Sequence, residues 1–160
     1  DGRIAFVTVD PYRVSIVTAT GSRVEGPPLP FIPVAVDRSL QDQWRQLQQQ
    51  PVASLTYGPN GVSAGRTRPT FVEPDAWPDA LPPFLPNAVR FASDGMLWIE
   101  RAMAADQPQS FDLIDRTGAL TRRVVLPKRT RLVGFGMATV YTVRIDEDDL
   151  EYLQQHRLPD

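Results

Sequence analysis

Residues Gly61-Val62-Ser63-Ala64-Gly65 spell G-x-S-x-G, and Asp115 and the only histidine, His156, follow in the chain order of an α/β-hydrolase triad. That chemistry needs a strand to deliver the serine to a tight turn and a helix N-terminus to receive it. Gly58-Pro59-Asn60 stands before the pentapeptide and Arg66-Thr67-Arg68-Pro69 after it, so the sequence predicts a flexible loop and no nucleophile. His156 alternates with Tyr152 and Gln154 and reads as an edge histidine; without a second His it cannot anchor an imidazole metal pair.

Two charge clusters are the other candidates. Asp146-Glu147-Asp148-Asp149, with Glu151, offers carboxylate oxygens of the kind calcium takes. It lacks the central Gly and the spaced terminal Glu of an EF-hand, so it reads as a solvated hairpin tip. Arg122, Arg123, Lys128, Arg129 and Arg131 fit an outer strand and its exit loop, where charge protects an edge. Gly58 to Gly65 has no following Lys-Ser or Lys-Thr and is not a phosphate-binding loop, and nothing in the sequence calls for a cofactor.

The elements that must carry these residues follow from a repeat. Residues 1–30 and 94–127 share a plan: Asp-Gly, an alternating apolar run, then Val14, Ile16 and Val17 in one copy against Phe111, Leu113 and Ile114 in the other. Each copy then reaches Thr-Gly, at Thr20-Gly21 and Thr117-Gly118, and Leu-Pro nine residues after the Thr. Short alternating runs bounded by Gly, Pro and Asp predict strands over 3–9, 12–18 and 22–26, then 87–92, 96–102, 110–115 and 120–126, then 131–135, 139–145 and 150–158. Short turns between them predict antiparallel meanders. The Asp-Gly at the very first residue predicts that a strand comes before it.

Between the copies the period changes. Leu40, Trp44 and Leu47 fall at i, i+4 and i+7, which predicts an amphipathic helix from Ser39 to Pro51 lying against the sheets. Ser39 with Asp42 fits a capping box, and Asp37 is the alternative cap. Residues 51–86 hold eight of the sixteen prolines, which predicts a long loop pinned to the body by Phe71, Trp77, Leu81 and Phe84.

Composition bounds the rest. A chain of 160 residues with 42% hydrophobic and 22% charged residues has the makings of a single globular domain. The net charge of -2 supplies no broad positive field for nucleic acid, and no apolar run approaches the roughly 20 residues needed to span a bilayer. With no Cys there is no disulfide, thiolate zinc site or cysteine nucleophile.

Asp-Gly between the first and second strands, Thr-Gly between the third and fourth and a Leu-Pro exit resemble the blades of NHL-like six-bladed β-propellers. The residues carrying the likeness are Asp1, Gly2, Gly21, Pro30, Asp94, Gly95, Trp98, Asp115, Gly118 and Pro127. The fold expected is all-β: a partial propeller of four-stranded antiparallel meander blades, with one short helix and a Pro-rich insertion. Residues 1–30 form an incomplete blade, 31–86 the helix and insertion, 87–127 a complete blade and 128–160 a C-terminal incomplete blade.

The resemblance implies the C-terminal part of a bacterial propeller, periplasmic or secreted, acting as a non-enzymatic binding or scaffold module. Its ligand site would lie at the ring centre, where Asn87, Arg90 and Arg131 are the nearest candidates. The implied partners are the remaining blades or a second copy of the chain, reached through open strand edges. The resemblance also implies an alternative, a metal-dependent lactonase, for which Asn87 alone is placed as a ligand.

Overall fold

The computed structural model describes residues 2–59 and 61–158, so Asp1 of the first Asp-Gly pair and Asn60 of the Gly-Pro-Asn turn lie outside the described residues. In chain order the elements are β1 (Ile4–Val9), β2 (Tyr12–Val17), β3 (Arg23–Glu25), β4 (Val34–Ala35), α1 (Arg38–Gln48), β5 (Val52–Gly58), β6 (Gly61–Thr67) and β7 (Ala80–Leu81). They continue with β8 (Phe84–Phe91), β9 (Leu97–Arg101), β10 (Ser110–Ile114), β11 (Leu120–Val125), β12 (Thr130–Gly136), β13 (Thr139–Ile145) and β14 (Glu151–Arg157). The fold is all-β with one helix. It divides into two compact units, one of residues 1–34 and 81–160 and one of residues 35–80.

The larger unit holds three antiparallel meanders. Their strand orders are β1-β2-β3, β11-β10-β9-β8 and β12-β13-β14. Alternation along each strand sorts side chains to two faces, and the middle sheet is apolar on both. On one face Leu97, Ile99 and Ile114 meet Tyr12, Val14 and Ile16 of the first sheet and Leu29 of the segment that follows it. On the other, Ala92, Trp98, Phe111 and Leu113 meet Leu132 and Val140 of the third. Burying each such large side chain stabilises the fold by about 1.5–3 kcal/mol, so the two interfaces carry most of the hydrophobic driving force.

Turn residues set the ends of the strands. Asp115 accepts the N–H groups of Thr117 (2.8 Å) and Ala119 (3.0 Å), and Asp94 accepts that of Met96 (2.9 Å), so each aspartate closes its turn with its own side chain. Gly118 follows at φ +81° and Gly95 at φ +87°, where a Cβ is strained. Gly118 has a second duty. A Cβ there would come within 2.6 Å of the Val14 carbonyl oxygen and 2.9 Å of the Gly26 Cα, so the first two sheets approach backbone to backbone.

The smaller unit departs from the loop the proline content predicts. Val52–Gly58 and Gly61–Thr67 pair antiparallel in unbroken register from Val52–Thr67 to Gly58–Gly61. The prolines stand beside the strands, at Pro51, Pro59 and Pro69, so none removes a ladder hydrogen bond. In α1 the cap is Asp37, whose Oδ1 accepts the Leu40 N–H at 2.9 Å, and not the Ser39 box. From the apolar stripe of the helix, Trp44 packs against Phe71 (ring centroids 5.5 Å apart) and Trp77 (5.1 Å), within the same unit. Arg45 holds Glu73 at 2.6 Å and Asp42 at 2.7 Å beside them. Of the residues expected to pin the insertion, Phe84 packs against Tyr12 at 5.8 Å and Leu81 is half-buried in β7.

Gly21 and Gly118 occupy the same place in the repeat, yet a Cβ at Gly21 meets nothing within 4 Å although its φ is +85°. Gly21→Ala therefore suffers backbone strain alone, about 1–2 kcal/mol, whereas Gly118→Ala adds a clash worth about 1–3 kcal/mol more. Urea denaturation of the two variants is expected to show Gly118→Ala as clearly the less stable; equal midpoints would contradict the close approach of the sheets.

Candidate functional site

The G-x-S-x-G residues lie on β6, where Ser63 pairs with Thr56 in mid-strand and every residue is exposed. There is neither a tight turn at Ser63 nor a following helix, so the nucleophile arrangement is absent, and so is the loop the sequence predicts. His156 Nε2 lies 3.2 Å from the Thr142 hydroxyl instead. The acidic run forms the turn between β13 and β14: Asp146 Oδ1 accepts the N–H groups of Leu150 (2.9 Å) and Asp148 (3.0 Å). The Leu150 N–H is the largest of the influences holding that carboxyl below the usual carboxylate range. Arg129 bonds to the Asp146 carbonyl and, at 2.8 Å, to Asp149, so part of the basic cluster neutralises the acidic one. Among the described residues no group of three or more His, Asp or Glu is arranged to hold a metal ion.

Asn87 and Arg90 sit on β8 and Arg131 on β12, the first and edge strands of their sheets. All three are exposed. Asn87 adopts φ +64° where the β8–β9 register shifts between Phe84 and Val89. Arg131 spans its sheet to reach Glu151 at 3.0 Å. No hydrogen bond or ion pair among the described residues joins the three to one another.

A concave site lies elsewhere, between the middle and third sheets. β11 supplies the middle sheet with a fourth strand, and the third sheet stops at β14. Opposite β11 the gap between the sheets is therefore unfilled, leaving a cleft of about 380 Å³. One wall carries Trp98, Val124, Leu126 and Pro127; the other carries Thr130, Val140, Thr142, Gln154, His156 and Arg157. Trp98 is held by Phe111 (5.6 Å) and Phe135 (5.1 Å), and its indole N–H is buried without a hydrogen-bond partner among the described residues. A buried unpaired donor costs about 1–3 kcal/mol, which the packing around Trp98 must offset. The lining has no carboxylate and includes Arg157 and His156, so it suits apolar groups with a neutral or negative end and repels cations. Gln109 closes the opposite part of the interface, donating to Glu100 (2.7 Å) and accepting the Leu132 N–H (2.9 Å).

The most buried charge is Asp112, in the middle of β10, with no exposed surface. Its Oδ1 accepts Arg123 Nε at 2.8 Å, its Oδ2 accepts the Tyr12 hydroxyl of the first sheet at 3.2 Å, and Arg101 lies at 3.8 Å. Burial, with the carboxylate beside it, pushes the Tyr12 phenol well above its usual range, so it stays a neutral donor. The carboxylate has no exposed surface of its own, and through Tyr12 and Arg123 it ties two sheets together. The aspartate inside the otherwise apolar-facing run Ser110–Ile114, with Arg123 directly opposite in register, is the signal that could have found it.

Comparison with protein-family models, with curated proteins and with solved structures finds no match to this chain.

Asp112→Ala would leave the Tyr12 hydroxyl and Arg101 without their common acceptor in the interface. We expect a loss of about 2–4 kcal/mol in urea denaturation, larger than for Arg123→Ala, which leaves Arg101 and Tyr12 on the carboxylate. A cost for Asp112→Ala no greater than that of Arg123→Ala would mean that the carboxylate does not join the sheets.

Proposed function

We propose that this chain is a non-enzymatic binding or scaffold module, with the Trp98–His156 cleft as its binding place and the three sheets as part of an NHL-like propeller. The observation that carries the reading is the cleft itself: an apolar hollow walled by Trp98, Val124, Leu126 and Val140 and bounded by Thr, Gln and His side chains. The propeller part rests on the repeat and on three meanders stacked face to face in chain order, with successive sheets as neighbours. Extracytoplasmic placement follows from the family resemblance alone. Asn87 and Arg90 on β8 and Arg131 on β12 stand at the corresponding edge of two sheets, where a propeller's central channel would run, and remain the residues proposed to meet a ligand there.

A binding reading fits the groups present better than a catalytic one. The cleft pairs its histidine with a threonine hydroxyl and holds no carboxylate to orient the imidazole as a general base.

Anilinonaphthalene sulfonate, an apolar anion, tests this. In the Trp44→Phe/Trp77→Phe background, where Trp98 is the remaining tryptophan, the dye is expected to take up energy from Trp98 and saturate at one site. Gln154→Trp, which fills the cleft from its wall, is expected to weaken the dye at least tenfold, as the loss of an apolar pocket of this kind is worth more than about 1.4 kcal/mol. Unsaturable binding, or binding indifferent to Gln154→Trp, would remove the cleft as the site.

A further inference from the structure

We propose that the β5–β6 hairpin is a membrane-contacting element, its apolar face seating shallowly in the surface of a bilayer that carries anionic lipid. The inference stands apart from the cleft and concerns the smaller unit alone.

Register decides which side chains of the hairpin share a face. Ala53 stands opposite Arg66, Leu55 opposite Ala64 and Tyr57 opposite Val62, so these six project to one side. The other side carries Val52, Ser54, Thr56, Ser63 and Thr67, with glycines at 58, 61 and 65. The first face is apolar but for its arginine, and all six of its residues are exposed, Tyr57 to 77%. Aromatic packing within the unit is made elsewhere, by Trp44 with Phe71 and Trp77. The face therefore adds little to the packing of its own unit, and a contiguous apolar surface left in water marks a place of contact.

Charge indicates what covers it. From Pro51 to Val72 the only charged residues are Arg66 and Arg68, and neither guanidinium has an ion pair or hydrogen bond among the described residues. In a chain whose net charge is -2, two unpaired cations beside an apolar surface complement an anionic one.

The order of residues along the hairpin favours lipid over an acidic protein. Toward the turn the pairs Tyr57–Val62 and Leu55–Ala64 are apolar, and the cations come at the other end: Arg66 lies four residues from Val62, about 13 Å at the rise of a strand. No charged residue falls between Val52 and Gly65. Entering turn first, such a hairpin sets its tyrosine and aliphatic side chains at the boundary of headgroups and acyl chains, where amphipathic elements bury about 5–10 Å deep. Both guanidinium groups then stand at the level of the lipid phosphates. A protein interface surrounds its apolar centre with a polar rim, whereas here the charge lies at one end only. The outer edges of β5 and β6 have no strand partner among the described residues, which confines the hairpin to the interface, where water and headgroups satisfy the peptide groups.

Co-sedimentation of the full chain with vesicles tests this. It is expected to partition onto phosphatidylcholine vesicles containing phosphatidylglycerol at least tenfold more strongly than onto phosphatidylcholine alone, since each arginine near an anionic surface contributes roughly fivefold. Arg66→Gln/Arg68→Gln is expected to abolish that difference, and Leu55→Ser/Tyr57→Ser to weaken partition onto both vesicles at least tenfold. All four residues are exposed, so neither variant disturbs a packed core. Depth is read separately: the chain has no Cys, so Ala64→Cys and Thr67→Cys each take a single environment-sensitive fluorophore. On anionic vesicles the blue shift is expected to be larger at the first position than at the second. No partition onto anionic vesicles overturns the proposal and leaves a protein as what the face meets. Leu55→Ser/Tyr57→Ser partitioning as wild type does, or a blue shift no larger at the first position, overturns it equally.

Discussion

The larger unit depends on sheets stacking through both faces of the middle one. A three- or four-stranded meander standing alone has too little area to pay the entropy of ordering its chain; it persists because its neighbours take its apolar faces out of water. The middle sheet is consequently the most buried, with all five residues of β10 inside. At one interface the packing includes a carboxylate that accepts from Tyr12 across the gap and from Arg123 within the sheet, which fixes how the two sheets meet as well as that they do. Backbone contact between Gly26 and Gly118 constrains the same pair at a second point.

The other interface is made differently, and the difference is where the cleft arises. Trp98, Phe111, Leu132 and Val140 fill its inner part, while the outer part opposes a four-stranded sheet to a three-stranded one. A hollow results from that mismatch, without any loop built for it. The side chains along it are ordinary strand residues, Thr142, Gln154 and His156, whose polarity would be costly in a closed interface and is tolerated in an open one.

Much of this architecture is legible in the sequence, because period-two alternation between Gly, Pro and Asp turns has few structural solutions. The strands around Tyr12, Trp98, Phe111 and Val140 fall within one or two residues of where the pattern puts them, and the four-stranded middle sheet has its expected members. The hairpin of residues 52–67 was hidden by proline content, which counts residues without asking whether they stand inside or beside a strand. Trp44 was legible as an apolar helix position, but its partners Phe71 and Trp77 lie beyond the reach of periodicity. Asp112 shows the same limit: Arg123 opposite it is deducible from hairpin register, whereas the Tyr12 hydroxyl comes from a strand a hundred residues away. Nor does any local pattern mark the cleft, since it depends on which sheets face each other and how many strands each has.

The hairpin of β5 and β6 has another consequence. Except for Ser54, which is partly covered, its residues are exposed, and Leu55, Tyr57 and Val62 are bare to solvent. Its ladder is thus held mainly by peptide hydrogen bonds that water can replace, whereas the amides of β10 are shielded by sheets on both sides. Deuterium should reach the two at very different speeds, the first by local fraying and the second only when the whole stack comes apart, so a single chain carries both an early-opening and a late-opening element.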